Sequence, residues 1–386
     1  MMPDYFHMIV LLGVLTMLVV ALVNVMGFPT LRRERPPERA PMVSVLVPAR
    51  NEEAVIDRAL ERLLKQDYPA YEIIVLDDNS TDRTRVVAGE RARTDGRIRL
   101  LPGEELPRGW VGKSFACHQL AREAKGELLL YVDADTLLAP EAITGGVAEL
   151  RRASADLLTV IPRQRMTSFW EKVLLPLLHF STFCFLPMPL VSTTRSPKLA
   201  MANGQFMLFR REAYEAIGGH ESVRGAMVED VWLARRMKEA GRRLAIRYGG
   251  ELVACRMYSS LAEIWAGFSK NLFPGLGYSV PMTAGVVLFS FLTSILPFFL
   301  LSHDLLLGQV GTGLTLLAAG EVGGILLIRL VFALRFDMDL WPILFHPLAM
   351  MVFIAIAINS ALWVIAGQGS RWKGRVYDVG QNLVDH

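Results

Sequence analysis

The sequence predicts an α/β domain with a mostly parallel sheet, carrying helices at both ends that are apolar enough to cross a membrane. Three observations carry this prediction. From residue 42 to about residue 256, apolar runs of strand length alternate with stretches of helical period, the pattern of strand–helix–strand units. Two of those runs end in carboxylates, Ile73-Ile74-Val75-Leu76 into Asp77-Asp78 and Leu128-Leu129-Leu130-Tyr131-Val132 into Asp133-Ala134-Asp135. Acidic clusters at the carboxyl ends of buried parallel strands are where such a sheet holds a metal and the polar part of a nucleotide. Finally, the 386 residues are 52% hydrophobic with a mean hydropathy of +0.33, yet 20% are charged, which describes a chain that is part soluble and part membrane.

The elements follow in order. An apolar stretch over residues 8–25 is followed at once by Arg32, Arg33, Arg35 and Arg39, with no Lys or Arg before it. That asymmetry fits an anchor whose basic flank is cytoplasmic, and Asp4 stands where a cleaved signal would need a positive charge. The Pro-rich segment 35–41 is a stiff linker. Val43-Ser44-Val45-Leu46-Val47 reads as the first strand, and Val55, Ile56, Ala59, Leu60, Leu63 and Leu64 place one buried face on a helix over 52–65. Further strands are predicted at 72–76, 128–132, 157–161 and 206–209, and a helix at 228–240 stopped by Gly241.

Three later stretches, 280–301, 313–334 and 343–366, are long and apolar enough to span, with Glu321 and Arg329 expected to face the bundle interior. Three crossings after a cytoplasmic domain put the tail outside, whereas Arg371, Lys373 and Arg375 argue for a tail inside. The two rules conflict, so either one stretch is re-entrant or the run 173–191 is an additional crossing; an interfacial segment is the preferred reading of that run. The expected partition is therefore an anchor and linker over 1–41, a catalytic domain over 42–275, and helices with a tail over 276–386. Cys117, Cys184 and Cys255 are far apart and form no Cys-x-x-Cys pair, which suits a reducing compartment. A net charge of +3 offers no basic field for nucleic acid, and nothing in the chain calls for an obligate protein partner.

Chemistry begins where the first strand ends, in Pro48-Ala49-Arg50-Asn51-Glu52-Glu53. No G-x-G-x-x-G turn follows it, and Gly112-Lys113-Ser114 lacks the first glycine of a phosphate loop because Pro107 stands there. Val47-Pro48-Ala49-Arg50-Asn51-Glu52, Leu76-Asp77-Asp78-Asn79-Ser80-Thr81-Asp82, Asp133-Ala134-Asp135 and Glu229-Asp230, in that order, resemble the family 2 glycosyltransferases of GT-A fold. Within them, Gly109-Trp110-Val111-Gly112-Lys113, Ala202-Asn203-Gly204-Gln205-Phe206, Gly218-Gly219-His220 and Cys255-Arg256-Met257-Tyr258 resemble the carotenoid-acid branch. The Gln-x-x-Arg-Trp of processive synthases is missing from its usual place after the base. A literal match, Gln368-Gly369-Ser370-Arg371-Trp372, lies beyond the last apolar stretch and is read as coincidence.

The resemblance implies roles. Pro48, Arg50, Asn51, Glu52 and Asp78 would contact the nucleotide of a sugar donor, UDP-sugar favoured. Asp135 with Asp133 would hold Mg²⁺ or Mn²⁺ against the diphosphate, with Lys113 a second positive contact. Asp230, paired with Glu229, would act as general base toward a lipophilic acceptor such as a carotenoid acid, in an inverting transfer at the cytoplasmic face of the cell membrane. Asp77 and Asp82 have plainer readings as loop-orienting and helix-capping residues, and His220 as a structural one. A processive polysaccharide synthase and a non-catalytic membrane scaffold are the alternatives.

Overall fold

A computed structural model describes residues 2–309, 311–366, 370–373 and 375–377. The chain forms two compact units that interleave along the sequence. An α/β unit comprises Pro29–Arg165, Pro189–Met257 and the tail from Lys373; a helical unit comprises Met1–Phe28, Met166–Met188 and Tyr258–Trp372.

The strands of the α/β unit, numbered along the chain, are β1 (Val43–Ala49), β2 (Tyr71–Asp77), β3 (Ile98–Pro102), β4 (Leu128–Val132), β5 (Thr136–Leu138), β6 (Leu157–Ile161), β7 (Arg163–Gln164), β8 (Phe206–Arg210), β9 (Leu244–Tyr248) and β10 (Val253–Cys255). The main sheet has the order β3-β2-β1-β4-β8-β6-β9. All of its neighbours are parallel except β8, which runs antiparallel to β4 and β6. A small sheet, β5-β10-β7, lies beside it.

Register decides where the chemistry falls. Val43 pairs with Tyr71 and with Leu128, so β1, β2 and β4 start level and release their carboxyl-end loops along one edge. Because β8 is reversed, Phe206 pairs with Val132, and Asn203-Gly204-Gln205 arrives beside Asp133. Val43, Val45 and Val47 on β1, Ile73 and Val75 on β2, and Leu130 and Val132 on β4 are buried together in the core, each contributing roughly 1.5–3 kcal/mol of apolar burial.

Helices cover the sheet. In the α/β unit they are α2 (Ile56–Leu64), α3 (Thr84–Thr94), α4 (Gly112–Glu123), α5 (Ala142–Arg152), α9 (Arg211–Ala216) and α10 (Glu229–Glu239). Helix α2 buries Ile56, Ala59, Leu60 and Leu63, the face the sequence predicts. It starts later than residue 52 because the amides of Glu52 and Glu53 are taken by Thr84 Oγ1 at 2.7 Å and Asp82 Oδ2 at 3.1 Å.

The helical unit contains α1 (Met2–Gly27), α6 (Phe169–Leu174), α7 (Pro176–Phe183), α11 (Leu261–Gly275), α12 (Val280–Ser294), α13 (Leu296–Leu306), α14 (Gly313–Arg335) and α15 (His346–Ile365). Among the described residues, four stretches are long and apolar enough to cross a membrane: Tyr5–Gly27, Val280–Leu306, Gly313–Arg335 and Trp341–Ile365. The run 173–191 is not a fifth. It is divided among α6, α7 and α8 (Met188–Thr193), of 6, 8 and 6 residues, too short for a hydrocarbon core of about 30 Å at about 1.5 Å per residue.

Helices α1 and α14 pack in parallel. His7 Nδ1 lies 3.0 Å from Glu321 Oε1 toward one end, and the Arg335 guanidinium donates to the carbonyl of Phe28 at 2.7 Å at the other. Glu321 and Arg329 are both buried, as the sequence leads one to expect.

Candidate active site

The loops after β1 and β2 are tied into one body. Arg50 Nη1 donates to the carbonyls of Asp78 at 2.5 Å and Asn79 at 2.9 Å, the Asn51 amide donates to Ser80 Oγ, and Asn51 Oδ1 accepts from the Thr81 amide. Both loops turn through a left-handed residue, Asn51 at φ 52° and Asn79 at φ 53°, a conformation asparagine tolerates better than most side chains. Pro48 can sit within β1 because the pairing with β4 stops at Leu46, leaving the strand bonded on one side only.

A second group of side chains meets at the end of β4. Lys113, in the first turn of α4, reaches Asp133 Oδ1 at 2.8 Å and Oδ2 at 2.9 Å, and Glu229 Oε1 at 3.2 Å. Burial alone would lower the Lys113 ammonium, but Asp133 and Glu229 outweigh it and hold it well above the ordinary lysine value. Asp133 and Asp135 flank the tight turn between β4 and β5. Burial, and then the facing charges of Asp133 and Glu52, push Asp135 up to about 7, while the Cys255 thiol bonds to it.

Asp230 stands in the first turn of α10. Its Oδ2 accepts from the Gly204 amide at 2.9 Å and its Oδ1 from the Val231 amide at 2.8 Å. Burial, with Glu229 beside it, nevertheless raises it to about 6. A carboxylate poised there, open at neutral pH to take a proton, has the character of a general base. Gly204 is fitted closely: a Cβ on it would lie 3.0 Å from Lys113 Nζ and 3.5 Å from Asp230 Oδ2.

The third group comes from the tail, whose charges bear on topology in the sequence and whose literal Gln-x-x-Arg-Trp match is read there as coincidence. Two cations of the tail, Lys373 and Arg375, the latter opening a short strand over Arg375–Tyr377, enter the loops just described. Arg375 forks onto Asp78, Nη1 to Oδ2 at 2.5 Å and Nη2 to Oδ1 at 3.0 Å. Lys373 Nζ pairs with Glu52 and donates to the Asn51 carbonyl, while Arg50 Nε donates to the Lys373 carbonyl at 3.2 Å. Burial still leaves both Asp78 and Glu52 above the usual carboxylate range, against the pull of these cations. Gln368 and Gly369, the start of the literal Gln-x-x-Arg-Trp match, lie outside the described residues.

Three other candidates make contacts within the fold. Asp82 Oδ1 accepts from the Thr84 amide at the start of α3 and Oδ2 from Glu53, so it caps and braces the loop. Asp77 is buried at the end of β2 and its carbonyl receives the Gly103 amide. His220 is buried against Tyr214, whose hydroxyl lies 2.8 Å from Nδ1, and burial lowers the ring to about 3, so it is neutral.

The fit to a divalent cation can be judged from the donor set. Among the described residues no three His, Cys, Asp or Glu side chains are arranged to hold an ion unaided. Two hard carboxylates, Asp133 and Asp135, suit Mg²⁺ or Mn²⁺ that takes its remaining ligands from water and phosphate. The raised Asp135, a carboxylate that holds either a proton or a cation near neutrality, agrees with that role.

Comparisons with known proteins give the family and the fold. Residues 44–218 match the family model "Glycosyl transferase family 2". The 4,4'-diaponeurosporenoate glycosyltransferase of Staphylococcus aureus strain MRSA252 is 30% identical over 346 residues, 88% of this chain and 89% of its own. Among solved structures, the mannosyltransferase PcManGT of Pyrobaculum calidifontis, in complex with GDP-Man and Mn²⁺, superposes with a TM-score of 0.57 at 18% identity, over 94% of this chain and 99% of that one, a likeness of fold. With Arg50, Asp78, Asp133, Asp135 and Asp230 gathered along one edge of a GT-A sheet, this chain belongs to the family 2 glycosyltransferases and is similar, within them, to the 4,4'-diaponeurosporenoate enzymes.

Proposed function

We propose that this protein is a membrane-anchored, metal-dependent, inverting glycosyltransferase that moves one sugar from a nucleotide sugar to a lipophilic acceptor, a carotenoid acid or similar isoprenoid lipid. The observation that carries the reading is the placement of Asp230 beside the Lys113–Asp133 pair, a proton acceptor next to a site built for concentrated negative charge.

In this reading the acceptor O–H attacks the anomeric carbon from the face opposite the diphosphate. The new C–O bond forms as the bond to the leaving phosphate oxygen breaks, and Asp230 takes the acceptor proton. The Gly204 and Val231 amides fix the lone pairs of Asp230, so its open side is set before the acceptor arrives. Lys113 offers a fixed ammonium where charge builds on the leaving group. Asp133 and Asp135 would hold a divalent ion, which supplies further neutralisation of the diphosphate. Asp78 and Glu52 face the nucleoside.

The acceptor class rests on the relatives' name and on the helical unit. That unit carries an open apolar groove of about 460 Å³ between α12 and α15, lined by Leu288, Phe291, Ile295, Met351 and Ile354, a surface suited to an isoprenoid chain. The test is to incubate membranes containing the protein with a panel of nucleotide sugars and extracted lipids, with and without chelator. A lipid carrying one sugar is expected; a polymer, or no transfer from any donor, would overturn the reading.

A further inference from the structure

Asp78 presents an apparent contradiction. It is the carboxylate proposed to face the nucleobase, yet it is buried and both of its oxygens are taken by Arg375. While that fork holds, no base can bond there. Lys373 pairs with one oxygen of Glu52. The tail thus neutralises two carboxylates of the donor loops.

Chemistry suggests where Arg375 goes. A guanidinium matches the paired oxygens of a phosphate as well as those of a carboxylate. A nucleoside diphosphate brings a base that needs Asp78 and two phosphates that need cations. The tail has anchors that do not involve Asp78: Arg50 Nε on the Lys373 carbonyl, and Lys373 Nζ on the Asn51 carbonyl. Arg375 can therefore leave Asp78 while the tail stays seated on the β1 loop.

We propose that the tail at Lys373 and Arg375 is part of the donor site, with both as donor-binding residues: Arg375 holds Asp78 until the nucleotide arrives, then yields it to the base and pairs with the diphosphate, with Lys373 assisting from Glu52. This deepens the reading of the site as one for a sugar nucleotide and rests on it. It gives the tail a function that its distance along the chain from the other motifs conceals.

The experiment is calorimetric titration of the full-length protein in detergent with Mg²⁺, using uridine, guanosine, UDP and GDP. Wild type, R375A, R375K and K373A are compared, with melting curves for each. R375A is expected to weaken binding of the preferred diphosphate at least tenfold while its nucleoside binds as well as before or better. R375K, charged but unforked, should fall between, and K373A should show a smaller loss of the same kind. Diphosphate binding unchanged in R375A, or nucleoside and diphosphate lost in equal measure, overturns the proposal, since the second result makes the tail a mere prop of the base pocket. If R375A does not fold, R375K carries the same comparison. Wild-type protein that binds neither UDP nor GDP overturns the nucleotide reading itself, and this proposal with it.

Discussion

The backbone amide of Gly204 donates to Asp230 Oδ2 at 2.9 Å, so the turn ahead of the one reversed strand fixes the carboxylate that opens α10. Two segments separated by a helix and a 3₁₀ turn are thereby locked at the point where a proton must be received.

Replacing Asp230 by Asn separates activity from stability. Transfer is expected to fall about 10²–10⁴-fold, the usual worth of a well-placed base, with nucleotide affinity unchanged. The folded carboxyl is raised from 3.8 to about 6, so between those values the folded protein holds a proton the unfolded chain has released. Stability from this group is therefore present at low pH and is lost as pH rises through that window, while activity rises through it. D230N should melt a few degrees higher than wild type at pH 8 and show little advantage at pH 4, which thermal melts at the two values would check.

Lys113 compensates two acids at once. K113M leaves Asp133 and Glu229 facing each other without their shared ammonium. Donor affinity should fall at least tenfold, about 1.4 kcal/mol, and the melting temperature should fall as well. Unchanged binding of UDP and GDP by K113M would remove Lys113 from the donor site.

Gly204 tests geometry apart from charge. An added Cβ would meet the mobile end of Lys113 at 3.0 Å, so G204A is expected to fold normally while displacing the ammonium. Turnover should drop severalfold, since the ammonium is shifted by a fraction of the roughly 1 Å misplacement that costs about 10²-fold. Normal turnover alongside a normal melting curve would show that Lys113 has no fixed position to lose.

Metal dependence is checked by chelation. EDTA should abolish transfer, with recovery on adding Mn²⁺ or Mg²⁺, and D135N should mimic chelation without weakening nucleoside binding. Full turnover in EDTA would count against any role for Asp133 and Asp135 in holding a cation.

Much of this was legible in the sequence because local pattern and tertiary role coincide. The run from Leu128 to Val132 is both an apolar strand and the support of Asp133 and Asp135, and the observed strand has those same limits. The face of α2 was equally plain from its spacing. What could not be read was placement by partners distant in the chain. Gly204 gained its meaning from the reversal of β8, which no local pattern announces. Arg375 and Lys373 lie near 300 residues from Asp78 and Glu52, and their charge pointed only to a side of the membrane. Asp82 showed its helix-start position, but the bond to the Glu53 amide depends on a neighbouring strand.

The parallel pairing of α1 with α14 has an effect on bilayer traffic. Arg335 sits against the carbonyl of Phe28, so the carboxyl ends of α1 and α14 lie together. Two helices that point the same way through one bilayer need an odd number of passages between them, and among the described residues Val280–Leu306 is the single stretch in that interval long and apolar enough to supply one. Cysteines introduced at Arg32, after α1, and at Asp339, after α14, should then react with an impermeant maleimide from the same side of a sealed vesicle.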